Sequence, residues 1–337
     1  LFSHFIIILK FMEQLFNPFE PLSFSPDKCF LTGNKTDNKT FVPVFPQWLL
    51  ERYNLHDSGI MLLDGIKMKY SEMVLPASAE TVSAIKNLDE ITREAFEKGY
   101  DAVTKLSETI LFQWMARVLY GVLYQDFVYV IKQHAQSGKP FEISALLKQR
   151  LKNLVLMMQS LVRPVEYRNF TPWSIRCYKV NISKDIFNYK DETQDLNFCL
   201  SMNDFGVVAC LQDNGAVAEY NKEVLDTVGN AVLHPAQFEE MYGRFIYSNY
   251  LLRKLPDYKI RNENGTTVFE LPEIAAGEMK KFSPWQDEIF AQVLANLWKP
   301  WGLTMNDIYT FPNSPLSYLI NERTYEFIPP DYIGLPY

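Results

Sequence analysis

One change of period organises the chain. From Leu88 to about Gln136 the apolar residues fall at Phe96, Val103, Leu106, Ile110, Trp114, Val118 and Val122, with a second row at Leu111, Met115, Leu119 and Leu123 beside them. That is the 3.6-residue period, and a stretch this long predicts a long core helix, kinked or broken at Gly99 or Gly121. Ser144 caps a second helix, Ala145 to Val162, which Arg163-Pro164 ends. Past Thr171 the period drops to two. Ile175 to Ile182 and Leu196 to Met202 alternate as half-buried strands, and Phe205 to Leu211 is apolar throughout. Strands and helices are segregated along the chain, so the expected class is α+β, with long core helices and a small antiparallel sheet.

The remainder is read from its punctuation. Six prolines between Pro18 and Pro76 and the polar stretch from Asp27 to Thr40 make residues 12–92 an irregular module with one short helix at Trp48 to Tyr53. The α+β domain then runs over 93–337, with helices in 93–163, the sheet in 173–215 and helices and a hairpin in 216–300. A Pro/Tyr-rich surface tail occupies 310–337. Asp213-Asn214-Gly215 closes the sheet as a turn or forms an exposed polar loop, helices follow over Tyr220 to Asn230 and Pro235 to Lys254, and Asn264-Gly265 is the turn of the hairpin over Tyr258 to Leu271. Pro284 to Lys299 reads as a last helix. Residues 1–11 carry the run Phe5 to Leu9, far short of the ~20 apolar residues a membrane span needs, and read as an extension ahead of Met12. Four irregularly spaced cysteines give no disulfide framework, which points to a cytoplasmic protein with no membrane association.

Cys29-Phe30-Leu31-Thr32-Gly33, followed by Val42-Pro43-Val44-Phe45-Pro46-Gln47-Trp48-Leu49-Leu50, resembles the opening of an HNH-type nuclease module. Phe112-Gln113-Trp114 and Tyr120-Gly121 extend the resemblance to about residue 125. In that family a Cys-x-x-Cys-Gly knuckle precedes Glu-His-Val-Phe-Pro-x-Trp-Leu. The histidine activates water beside a metal, and a second Cys-x-x-Cys knuckle completes a structural zinc site. Here Cys29 keeps one ligand position, the second falls on Thr32, and the later knuckle, taken as Leu75 to Thr81, offers Ser78 and Thr81. The histidine position falls on Pro43 and the acidic one on Val42. One thiolate does not hold tetrahedral zinc, and hydrolysis needs both ion and base. The resemblance therefore implies a degenerate, non-catalytic module without zinc or any other cofactor.

Three function classes follow. From Lys139 to Lys190 there are ten basic residues against three acidic, a local +7 in a chain of net charge -7. Lys148, Arg150, Lys152, Arg163, Arg168 and Arg176, with Trp173 for base stacking, are the candidate nucleic-acid contacts, and an acidic protein is the other partner that segment would suit. The same charges also fit a solvated face paired with acids elsewhere in the fold. The second class is a small-molecule enzyme with a cleft near His234, using Glu239 and Asp213. His234 precedes Pro235 at a helix start, where it caps the helix or meets acidic neighbours, while Glu239 and Glu240 also read as the solvated face of that helix. His4, His56 and His134 are scattered and read as structural. The third class is a structural, partner-binding protein that docks through its tail.

Overall fold

A computed structural model describes residues 15–37, 40–62, 65–138, 142–253, 258–272 and 281–336. The extension at 1–11 lies outside the described residues. At the start, β1 (Phe41–Pro43) is followed by α1 (Gln47–Arg52), a hairpin of β2 (Gly59–Met61) and β3 (Lys67–Lys69), and β4 (Val74–Pro76). β4 returns to pair antiparallel with β1, Pro43 opposite Val74.

The helical stretch breaks where one of its two glycines requires it. α2 (Ala79–Lys98) ends at Gly99, whose φ of 88° is a left-handed value that a side chain disfavours; α3 (Tyr100–Val103) then turns the chain into α4 (Glu108–Ser137). Gly121 lies inside α4 and does not interrupt it. Its role is proximity, because a Cβ there would lie 2.6 Å from both methyls of Val44. α5 (Ala145–Met158) starts at the expected cap, where Ser144 Oγ accepts from the Leu147 N–H.

The main sheet has five strands. After β5 (Val165–Arg168) come β6 (Ser174–Val180), β7 (Phe187–Glu192), β8 (Asn197–Met202) and β9 (Phe205–Cys210), then α6 (Ala216–Tyr220), α7 (Lys222–Val228), β10 (Val232–Leu233) and α8 (Pro235–Leu251). The order is β10-β6-β9-β8-β7, antiparallel except for β10, which runs parallel to β6. β8 and β9 are buried at every position, since both faces of the sheet are covered. Phe205, Val207 and Ala209 face the core built on Phe96 and Trp114, while Val208 and Cys210 face Phe238 and Met241 of α8. The Asn264-Gly265 hairpin forms as β11 (Lys259–Glu263) and β12 (Thr266–Glu270), with β12 parallel to β5. α9 (Asp287–Leu297) packs on α8 through Tyr247, Phe290 and Leu294, and the short α10 (Met305–Ile308) completes that layer. The class is α+β.

One boundary shifts. A module ending at residue 92 would be cut in the middle of α2, and one apolar core takes Leu31, Val44 and Leu49 together with Trp114, Phe198 and Phe269. The tail lies largely on the surface, with Phe311, Tyr325 and Tyr332 exposed, but it is anchored. Leu319 is fully buried, and the N–H groups of Tyr318 and Leu319 donate to the carboxylate of Glu240, which is itself fully buried.

Candidate functional site

The loop Cys29 to Gly33 is closed by the Gly33 N–H on the Cys29 carbonyl at 2.9 Å and flanked by a bridge between Lys28 and Lys35. It is held against the start of α2 by the Phe30 N–H on the Pro76 carbonyl, 2.8 Å. This contact brings Cys29 and Thr32 towards Ser78 and Thr81, the positions that the resemblance singles out. Cys29 Sγ lies 3.2 Å from Thr81 Oγ1, and the Ser78 hydroxyl donates to Thr81 Oγ1 at 3.1 Å. Burial raises the Cys29 thiol pKa, but hydrogen bonds from Thr32 and Thr81 and from the backbone at Ser78 and Leu31 outweigh it, so the thiol sits below its usual value. Ser78 also caps α2, its Oγ accepting from the Thr81 N–H. Among the described residues no group of three or more His, Cys, Asp or Glu could hold a metal ion.

Pro43 presents an exposed ring opposite Val74, so that pair offers no proton acceptor in its side chains. Its carbonyl accepts from Arg117 Nη1 at 3.0 Å, and Arg117, fully buried, pairs with Asp89 at 2.7 Å. Burial pushes the Asp89 carboxyl up and the guanidinium down, each opposed by the other's charge. This pair fastens β1 to both helices beneath it. A lone arginine inside the apolar run Met115-Ala116-Arg117-Val118-Leu119 was its sequence signal. Phe30 stacks on Tyr120 at 6.1 Å, so Tyr120 and Gly121 are where α4 underlies the two segments of the resemblance.

Most of the candidate nucleic-acid residues are engaged within the fold. Arg150 is buried against Asp195, and Lys148 meets Glu20 at 3.3 Å. Arg168 is held by Glu166, Glu263 and Glu270 at 2.8 to 2.9 Å, which draws the Glu263 carboxyl below its usual range. Lys190 pairs with Glu239. The +7 segment therefore meets Glu20, Asp195, Glu239, Glu263 and Glu270 from outside it. Trp173 corrects the stacking expectation: it is 4% exposed, lies stacked at 4.3 Å on Phe112, and its indole N–H donates to Glu108. Trp173 and Arg176 do line a cavity of about 680 Å³, but Glu108, Glu219 and Asp226 line it as well, against Arg176 and Lys222. Lys152 on α5 and Arg163 beyond it are half-buried.

The hydrogen bonds of His234, Glu239 and Asp213 described below run to separate groups. His234 caps α8: its Nδ1 accepts from the Ala236 N–H at 3.1 Å, and its Nε2 faces the Leu335 carbonyl at 3.2 Å. Burial lowers its pKa. Asp213 is buried at the far end of β6, accepting from the Ser174 hydroxyl at 2.6 Å and the Val217 N–H at 2.7 Å. The exposed-loop alternative for Asp213 fails, although Asn214 and Gly215 do form the turn with positive φ. Glu239 and Glu240 are buried, contrary to a solvated face, because the sheet covers one and the tail the other.

No protein family, no curated protein and no solved structure matches this chain. No described helix is long and apolar enough to cross a membrane.

Proposed function

We propose that the protein is a non-catalytic, cytoplasmic scaffolding protein built on a degenerate HNH-like module. The observation that carries this reading is the convergence of Cys29, Thr32, Ser78 and Thr81, the four knuckle positions, around the Cys29 sulfur. A chance match in sequence gives no reason for residues 49 positions apart to meet at their ligand positions. With three of the four ligands replaced by hydroxyls and proline in place of the base, the module contributes packing, and Arg117, Tyr120 and Gly121 join it to the rest of the core. Scaffolding is favoured over nucleic-acid binding because Arg150 and Arg168 are neutralised internally and Trp173 is stacked inside.

The test restores what was lost. Purified wild-type protein is expected to carry no stoichiometric zinc and to leave DNA uncut with Mg²⁺ or Mn²⁺. The Thr32→Cys/Ser78→Cys/Thr81→Cys variant is expected to bind one Co²⁺ or Zn²⁺, with the thiolate charge-transfer absorption of tetrahedral Co²⁺ and a raised melting temperature. Metal-dependent cleavage by the wild type would overturn the non-catalytic reading; a folded triple variant without metal affinity would overturn the ancestry.

A further inference from the structure

β6 lacks a neighbour along most of its outer edge. β10 pairs with it only at Lys179 and Val180, so the strand position beside residues 174–178 is vacant, and those residues form one wall of a cavity of about 680 Å³. The opposite wall is α6 and α7, which carry the chain away from the sheet before it returns as β10. Alternation fixes which peptide groups look into the vacancy. The Val180 N–H turns inward to the Asp204 carbonyl and the Asn181 N–H outward to the Leu233 carbonyl, so Ile175 and Cys177 direct their N–H and C=O groups outward. An unpaired edge of this kind is a template for another strand.

The half-buried side chain of Arg176 stands over this edge. It shares a strand face with Ser174, whose hydroxyl accepts from the Ala218 N–H of α6 at 3.0 Å, so the guanidinium lies on the α6 side. Its Nη1 donates to the Ile175 carbonyl at 2.9 Å, whereas Nε and Nη2 have no partner among the described residues and remain open to solvent. Those two N–H groups form the fork that holds a carboxylate by two parallel hydrogen bonds. The three carboxylates lining the cavity leave it empty. Asp226 pairs with Lys222, Glu108 accepts from the Trp173 indole, and the exposed Glu219 makes no side-chain hydrogen bond or ion pair among the described residues.

Because Nη1 already occupies the Ile175 carbonyl, an added strand can pair with Cys177 but cannot run on past Ile175. A chain that ends there, antiparallel to β6, brings its terminal carboxylate to the fork. We propose that this groove binds the C-terminal segment of a partner protein, added antiparallel to β6, with its terminal carboxylate on Arg176 and an upstream basic side chain meeting Glu219. A polyanion such as nucleic acid would be repelled by Glu108 and Glu219, whereas a chain end presents one negative charge at the one free guanidinium edge. None of the knuckle positions lines the groove, which would serve a scaffold whatever the ancestry of the module.

The experiment passes a randomised library of pentapeptides with free C-terminal carboxylates over the immobilised full chain, alongside the same library amidated at the C-terminus, and reads the retained peptides by mass spectrometry. The free acids are expected to be retained at least about tenfold over the amides and to be enriched in Lys and Arg ahead of the terminal residue. A selected peptide should also slow hydrogen exchange at the Cys177 amide. Arg176→Gln, at an unchanged melting temperature, should abolish retention. Glu219→Arg changes an exposed position, so it keeps the fold, and should shift the enrichment from basic to acidic residues. Retention of neither library, equal retention of both, full retention by folded Arg176→Gln, unaltered selectivity in Glu219→Arg, or displacement of the peptides by oligothymidylate would each overturn the proposal. Amides retained through Asp or Glu at one position would give the fork to a side-chain carboxylate and overturn the chain end as its ligand.

Discussion

Asp213 is the residue whose chemistry departs furthest from its place in the sequence. Read as turn or exposed loop, it is 1% exposed, and burial, against the hydrogen bonds from Ser174 and Val217, pushes its carboxyl from 3.8 up to about 6. A carboxyl whose pKa is raised on folding contributes stability that is fully present below about pH 4 and is lost as the pH rises through about 6. Above that the fold carries an ionised buried group, at a cost of order 3 kcal/mol. Asp213→Asn removes the ionisation. Its melting temperature relative to the wild type should therefore climb between pH 4.5 and pH 7, by on the order of 4 °C. An offset constant across that range would contradict the assignment. The local signals at this scale were legible: the Ser144 cap, the positive-φ turn at Asn214-Gly215 and the capping option at His234 all appear. The pairing of Trp173, Arg168 and Glu240 was not, because they take partners from segments 65 to 102 residues away, which no local pattern encodes.

At the level of elements, α4 and the segment after β1 meet at Gly121 with no room to spare. Gly121→Ala would force a methyl to 2.6 Å from Val44, and overpacking of this kind costs about 1–3 kcal/mol. In a Val44→Ala background the same change should cost less than half as much, measured by urea denaturation of the four-member cycle. Equal costs in both backgrounds would show that the helix shifts freely. Periodicity disclosed the long helices and β6, β8 and β9, but Leu196 to Met202, expected to be half-buried, is buried at every position because α8 covers the face opposite the main core. It missed β7, half-buried at every position of Phe187–Glu192, and the two-residue β10. It also missed β5, whose partner β12 lies a hundred residues on. Such strands are defined by what they pair with, so alternation within them is weak.

The whole molecule shares one core across the boundary that punctuation suggested at residue 92. Leu31, Val44 and Leu49 are buried against Trp114, Tyr120 and strands more than a hundred residues away. Residues 12–92 produced alone should therefore lack a fold, giving an amide spectrum without dispersion, while the full chain loses its tryptophan environment and its helical signal in one coincident transition. A dispersed spectrum from the fragment would restore an autonomous module.

The Glu240 carboxylate sets an order of events during synthesis. Its backbone donors, Tyr318 and Leu319, and the Ser317 hydroxyl that joins them emerge from the ribosome nearly eighty residues after it. Until they do, Arg244 is the partner within reach along the helix. The layer of α8 thus closes only after residues 317–319 have been made, and a nascent chain stalled before residue 317 would hold that carboxylate still hydrated on the outer side of α8.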